Sequence, residues 1–305
     1  MGDADVTLLT TSEMANFVAD GVLVFPGIVP DDLNERVVDE LPALLGEKLA
    51  VLRGQAAAGP AAVPATGTPY DELRCGTAVA DVLALPRVRG IVQSLVGPGP
   101  RYDHDFVHHL PAGHQNRQHL HPDAIVDSAD PAFDVQLFYY PHEVMPGGGG
   151  TRYVPGTHLR RVTSTTTARY QHVVGERFHA GPAGTIAVFH HGLWHAGHDN
   201  PGPVDRWLYK LRLNPAVPQV RLWDTSDLAG RTNPPTDHVF AAADPSSVAA
   251  VLRRVHPWQS TDASRYDLVE RVRLWRHLTG DPDYDVDHYL TRLIRPGADH
   301  PAADG

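Results

Sequence analysis

The chain has 305 residues, of which 42% are hydrophobic and 20% charged, and 26 Lys plus Arg stand against 36 Asp plus Glu for a net charge of −10. A packed core is feasible and wholesale disorder is disfavoured, while the acidic balance argues against a nucleic-acid partner. Cys75 is the only cysteine, which excludes an intrachain disulfide and any cysteine-held zinc or iron–sulfur centre.

Met1 to Leu8 carries Asp3 and Asp5 and lacks a basic stretch followed by an apolar run, so no signal peptide is expected. Thr10 to Asp20 reads as a short helix capped by Thr11 or Ser12 and stopped by Gly21. Val22 to Phe25 reads as a buried strand ended by Pro26-Gly27. Pro30 to Leu45 is amphipathic, with Leu33, Val37, Leu41 and Leu44 on one face and Pro42 placed to kink it. Residues 54–70, rich in Ala, Gly and Pro, read as a mobile loop before a helix over Val79 to Leu95.

From Arg101 to Pro215 short β-branched and aromatic runs alternate with Gly/Pro turns. The expected strands are Asp105–Leu110, Val135–Tyr140, Thr151–Val154, Gly184–His190 and Trp207–Leu213, a pattern of sandwiches and small barrels. Helices return at Ser246–Val255, Ser264–Leu278 and Val286–Leu293, before a frayed tail from Pro296. The expectation is one α+β domain over 1–305, with a β core at about 101–215 and a helical C-terminal extension at about 216–295. No apolar stretch nears the roughly 20 residues that span a bilayer, so a soluble cytoplasmic protein with no membrane partner is expected.

Nineteen histidines are far more than one metal site uses. His121-Pro122-Asp123 places an imidazole and a carboxylate two residues apart, on one side of an extended segment. Composition alone predicts about two such triplets by chance, so the motif is weak by itself. Downstream, the apolar run Thr185 to Phe189 enters a turn with His190, His191, His195 and His198. A further strand starts at Arg206 and carries Lys210. If the two strands are antiparallel neighbours, a histidine and an arginine meet in one cavity.

Together these stretches resemble the phytanoyl-CoA dioxygenase (PhyH-like) family of Fe(II)/2-oxoglutarate oxygenases. Asp20 to Gly27 is similar to its N-terminal strand, His121-Pro122-Asp123 to its His-x-Asp, Gly148 to His158 to its Val-Pro-Gly-Ser-His segment, and Gly184 to Arg206 to its distal His…Arg segment. His195 precedes Arg206 by the family's eleven residues. The resemblance spans about residues 10–215, and implies a double-stranded β-helix (jelly-roll, cupin-like) core flanked by N-terminal and C-terminal helices.

It further implies that His121, Asp123 and His195 hold Fe(II), with His191 the minor alternative for the distal ligand. Arg206 is then expected to clamp the distal carboxylate of 2-oxoglutarate, with O2 as the second co-substrate. Asp123 argues for hydroxylation over halogenation, because halogenating relatives have a small residue there. Where many relatives have Ser or Thr two residues after the distal histidine, this chain has Gly197. That shifts co-substrate recognition onto Arg206 or onto a hydroxyl such as Tyr139 or its neighbour Tyr140.

Arg152, His158 and Trp194 are weaker candidates for substrate contact, each with an equally good structural reading. The glycine run Gly147 to Gly150 reads as a flexible lip, because it lacks the Lys-Ser/Thr ending of a phosphate loop. The expected activity is hydroxylation or another oxidation of a small-molecule natural-product intermediate. The alternatives are an acyl-CoA hydroxylase, a non-catalytic jelly-roll binding module and a zinc hydrolase. The acidic charge disfavours an acyl-CoA unless arginines such as Arg117, Arg160 and Arg161 offset it. Oligomeric state is not legible.

Overall fold

The computed structural model describes residues 6–58, 68–115, 117–123, 131–160, 167, 169, 171–228 and 247–286. Helix α1 (Thr11–Asp20) is capped one residue earlier than the sequence suggests. Its N-cap is Thr10, which accepts from Glu13 N at 3.2 Å while Glu13 accepts from Thr10 N at 2.8 Å, a capping box. Gly21 ends it at φ 73°, and a Cβ there would lie 2.5 Å from the His158 ring; both facts demand glycine. Strand β1 (Val22–Phe25) follows.

Helix α2 (Asp31–Ala58) runs through Pro42 and past Leu45. One missing N–H does not stop a helix whose Leu33, Val37, Leu41 and Leu44 are buried along one face. The expected loop over 54–70 is thus helical at its start, and 59–67 lie outside the described residues. Strand β2 (Thr68–Pro69) precedes two helices where one was expected, α3 (Ala78–Ala84) and α4 (Pro86–Val96), because Pro86 starts a new helix at its first position.

The remaining strands are β3 (Arg101–Leu110), β4 (Val135–Tyr140), β5 (Arg152–Tyr153), β6 (Arg177–Phe178), β7 (Thr185–His190), β8 (His195–Ala196) and β9 (Arg206–Asn214). Helices α5 (Val248–Leu252) and α6 (Thr261–Thr279) follow. Of the expected helix Val286–Leu293 all but Val286 lies outside the described residues, as does the tail from Pro296. No described helix is long and apolar enough to cross a membrane.

The strands form a six-stranded sheet in the order β1-β7-β4-β9-β3-β2 and a three-stranded sheet in the order β6-β5-β8, every pairing antiparallel. This is the jelly-roll core with flanking helices that the sequence suggests. Side chains alternate across the large sheet. Val107, Leu137, Tyr139, Val188, Tyr209 and Leu211 join the helices in one apolar core. Phe138, Ala187, Phe189 and Leu208 face the small sheet, where the Tyr153 and Phe189 ring centroids lie 5.2 Å apart.

Glycine here serves tight packing more than mobility. A Cβ on Gly149 would lie 2.0 Å from the Asp199 carbonyl and one on Gly150 1.8 Å from that of His179. The expected flexible lip is therefore a close backbone crossing.

Arg152, a candidate for substrate contact, instead braces the small sheet. Its Nη1 donates to Gln171 O at 2.8 Å and Glu176 Oε1 at 3.1 Å, and its Nη2 donates to Gln118 O at 2.8 Å. The pair is buried, with side chains 2% and 8% exposed. His158 is likewise interior, its Nε2 3.2 Å from Val18 O and its ring 5.0 Å from that of His190. Burial, then the neighbouring His190, pushes His158 well below the ordinary histidine range, and burial pushes His190 down to about 3.

Two predictions follow from these interior groups. Arg152→Met leaves Glu176 buried and unpaired, and should cost about 3–5 kcal/mol in urea unfolding, with Arg152→Met/Glu176→Leu recovering much of it. Because His158 and His190 stay neutral when folded but protonate near pH 6.5 when unfolded, stability should fall as pH drops below that value. The slope is about 1.4 kcal/mol per pH unit for each histidine, ending for His190 near pH 3. A flat stability profile between pH 6.5 and 4.5 would contradict this.

Candidate metal centre

The site is assembled by backbone pairing between segments far apart in sequence. His121 N donates to His195 O and His195 N to His121 O, both at 3.0 Å. His121 thereby extends the small sheet beyond β8 as an antiparallel bridge. Directly paired residues send their side chains to the same face, and the two imidazole centroids lie 4.9 Å apart. Asp123, two residues on, turns its carboxylate into the same space. Ligand atoms of His121, Asp123 and His195 all lie within 4.8 Å of one another, the one such group among the described residues. His191 lines the same cavity but does not join this group.

The imidazoles are oriented for ligation. His121 Nδ1–H donates to His119 O at 2.7 Å and His195 Nδ1–H to Leu193 O at 3.0 Å. Both Nε2 atoms therefore face Asp123, whose oxygens lie 3.3 and 3.6 Å away. Burial pushes His195 down to about 3, so it is a neutral donor, while the hydrogen bond to Asp123 pulls His121 upward. For Asp123 burial raises the carboxyl, but the His121 hydrogen bond and the neighbouring His195 ring and Lys210 ammonium outweigh it and hold it well below the carboxylate range. A carboxylate flanked by two imidazoles whose Nε2 atoms point at it fits a divalent transition metal, which would take the place of the proton on His121 Nε2.

Beside this group is a cavity of about 530 Å³ lined by Phe106, Phe138, Thr151, Arg206, Leu208 and Lys210, among others. Arg206 is 4% exposed. Its Nε and Nη1 have no hydrogen-bond partner among the described residues. A buried guanidinium with unsatisfied donors is costly unless an anion completes it, so it fits a carboxylate. Around it stand His179, pushed down to about 4 by burial and by Arg206, and Tyr140, whose ring stacks on His179 at 3.9 Å.

The remaining candidates separate cleanly. Tyr139 lies on the helix side of β4, donating to Asn34 Oδ1 at 2.6 Å, and does not line the cavity. Its neighbour Tyr140 faces the other way and donates to Thr151 Oγ1 at 2.9 Å. Trp194 packs with Leu120, Val154 and Ala196 rather than lining the pocket. Gly197 N donates to Gln118 Oε1 at 2.9 Å, and a Cβ there would lie 3.1 Å from that oxygen, so a hydroxyl side chain would crowd Gln118. Sequence reasoning missed Gln136 and Lys210, both of which donate to Asp123 Oδ2, Lys210 at 2.6 Å. Their inward alternation with apolar neighbours along β4 and β9 was the available signal.

No curated protein matches the sequence. Among solved structures, the chain is similar to EctD from S. alaskensis in its apo form, with a TM-score of 0.51 and 19% identity over 70% of this chain and 82% of that one. It is also similar to HygX from Streptomyces hygroscopicus with nickel and 2-oxoglutarate bound, with a TM-score of 0.49 and 16% identity over 68% of this chain and 88% of that one. The family model for phytanoyl-CoA dioxygenase (PhyH) matches residues 17–207, more than half of the sequence, and the chain belongs to that family.

Proposed function

We propose that the chain is a mononuclear Fe(II)/2-oxoglutarate-dependent dioxygenase that hydroxylates or otherwise oxidises a small natural-product intermediate. The observation that carries this reading is the pairing, in one cavity, of a two-imidazole, one-carboxylate donor set with a buried guanidinium whose Nε and Nη1 have no hydrogen-bond partner among the described residues.

His121, Asp123 and His195 would hold the iron and Arg206 the distal carboxylate of the co-substrate. When bound, this pair and O2 supply the oxidation, with 2-oxoglutarate decarboxylating to succinate and CO2 as a substrate C–H bond is oxidised. The backbone carbonyls of His119 and Leu193 take the two Nδ1 protons and leave both Nε2 atoms aimed at the metal position. Arg206 offers a planar fork for bidentate, charge-assisted hydrogen bonds. Tyr140 spends its proton on Thr151 Oγ1, which frees the Thr151 hydroxyl proton for an acceptor in the cavity that Thr151 lines. That pair would supply the hydroxyl that Gly197 cannot.

A cavity of about 530 Å³ is in the range of small-ligand sites. Two of the arginines named above as candidates for a nucleotide phosphate pair with carboxylates, Arg117 with Asp199 at 3.5 Å and Arg160 with Asp267 at 2.8 Å; Arg161 lies outside the described residues. This favours a compact substrate over an acyl-CoA.

Asp123→Ala and His195→Ala should each lower iron affinity at least about 100-fold with the fold retained, read by metal analysis after dialysis. Iron retention equal to wild type would remove that residue from the ligand set. Arg206→Lys should weaken 2-oxoglutarate binding by about tenfold or more while iron binding stays within about twofold, read by calorimetry on the metal-loaded protein. Wild type that binds 2-oxoglutarate no better with iron than without it would sink the oxygenase reading and favour a zinc hydrolase or an inert binding module.

A further inference from the structure

Lys210 is unusual in both composition and place. Only Lys48 and Lys210 are lysines, all other basic residues being arginine. Lys210 sits in the interior, 9% exposed, on the cavity face of β9 and paired in register with Phe106 on β3 and Phe138 on β4. Its Nζ lies 5.2 Å from the Phe138 ring centroid and 2.6 Å from Asp123 Oδ2. A lysine presents a compact point charge on a long stem, where an arginine presents a planar fork.

Asp123 does not depend on Lys210 alone. The buried Gln136 donates to the same oxygen from the adjacent strand. With Asp123 serving a metal, the ammonium loses much of its counter-charge in a site that screens poorly. Among the described residues, the charges of the loaded site then do not close. The two positive charges of ferrous iron offset the two negative charges of the co-substrate, Asp123 offsets one of the cations Arg206 and Lys210, and one positive charge is left over. Arg212, the next cationic residue on that face of β9, does not alter the balance, because it pairs with Asp134 at 2.6 Å. Beside the ammonium, Phe106, Phe138 and Leu208 give the wall an apolar stretch that continues to Leu110, with His108 between Phe106 and Leu110 on β3.

We propose that the substrate is a small organic acid, its apolar skeleton against Phe106, Leu110, Phe138 and Leu208 and its carboxylate on the Lys210 ammonium beside the metal ligand Asp123. This names the substrate class of the oxygenase site and rests on that assignment. Lys210 then selects anionic over neutral ligands of the same shape.

The test uses the full chain loaded with Ni(II), a redox-inert stand-in for iron, at saturating 2-oxoglutarate. Hexanoate and 3-phenylpropanoate are titrated by calorimetry, each against its primary amide. Wild type should bind at least one acid about tenfold or more tightly than its amide, as a charge-assisted hydrogen bond implies. Lys210→Gln and Lys210→Met should reduce that ratio to within about twofold, each titrated at Ni(II) and 2-oxoglutarate concentrations that saturate that variant, so that a change in metal affinity does not enter the ratio. Equal affinity for acid and amide, no binding of any probe, or a preference that survives both substitutions would overturn the proposal. Variants that lose 2-oxoglutarate affinity but keep the acid preference would assign Lys210 to the co-substrate and overturn it equally. Wild type that takes up neither Ni(II) nor 2-oxoglutarate is a different result, in which the oxygenase reading fails and takes this proposal with it.

Discussion

The site depends on two backbone hydrogen bonds exchanged by His121 and His195. An iron ligand set must bring its donors to within a few ångströms without a metal to gather them, and bare imidazoles do not attract one another. Antiparallel pairing solves this with groups that must be satisfied in any case. The same bridge puts both rings on one face, and the carbonyls of His119 and Leu193 then set both tautomers. Asp123 follows from the chain direction alone, being two residues along an extended segment from His121.

The rest of the architecture keeps that bridge in place. The small sheet has only two-residue strands, too short to be stable alone. It is fixed by the Arg152–Glu176 pair beneath it, by the glycine crossing at Gly149 and Gly150, and by aromatic contacts to the large sheet. The large sheet in turn gains its rigidity from the helices on its far face, which share one apolar core with it. A polar, partly unsatisfied cavity is thus held open by apolar packing on the opposite side of the same strands.

How far this was legible in the sequence varies with the length scale of the signal. Strands β4 and β7 announced themselves as apolar runs, and β9 by alternation, because burial repeats over six or more residues. Strands β6 and β8 carry no periodicity in two residues. The helical residues 54–58 were mistaken for loop because their Ala, Gly and Gln content resembles the adjoining Gly/Pro-rich segment, although alanine is a strong helix former. Of the site, His121, Asp123, His195 and Arg206 were picked out by the family resemblance, the His121–Asp123 spacing being weak by itself, and the structure brings these four side chains together around one cavity. Tyr139 was not separable from Tyr140 by sequence, since adjacent strand residues point to opposite faces and only the pairing register says which is which.

Arg152 and Lys210 show why residue type alone misleads. Both are buried cations on strands, Arg152 on the two-residue β5 and Lys210 on the nine-residue β9. What separates them is the saturation of their surroundings. Arg152 has Glu176 and the carbonyls of Gln118 and Gln171 as dedicated acceptors, so its charge is committed to the fold. Lys210 has Asp123, an acceptor already shared with Gln136 and placed to serve a metal. A buried charge whose only counter-ion has a second use is a charge held in reserve, and its position over an apolar wall decides what kind of molecule can draw on it.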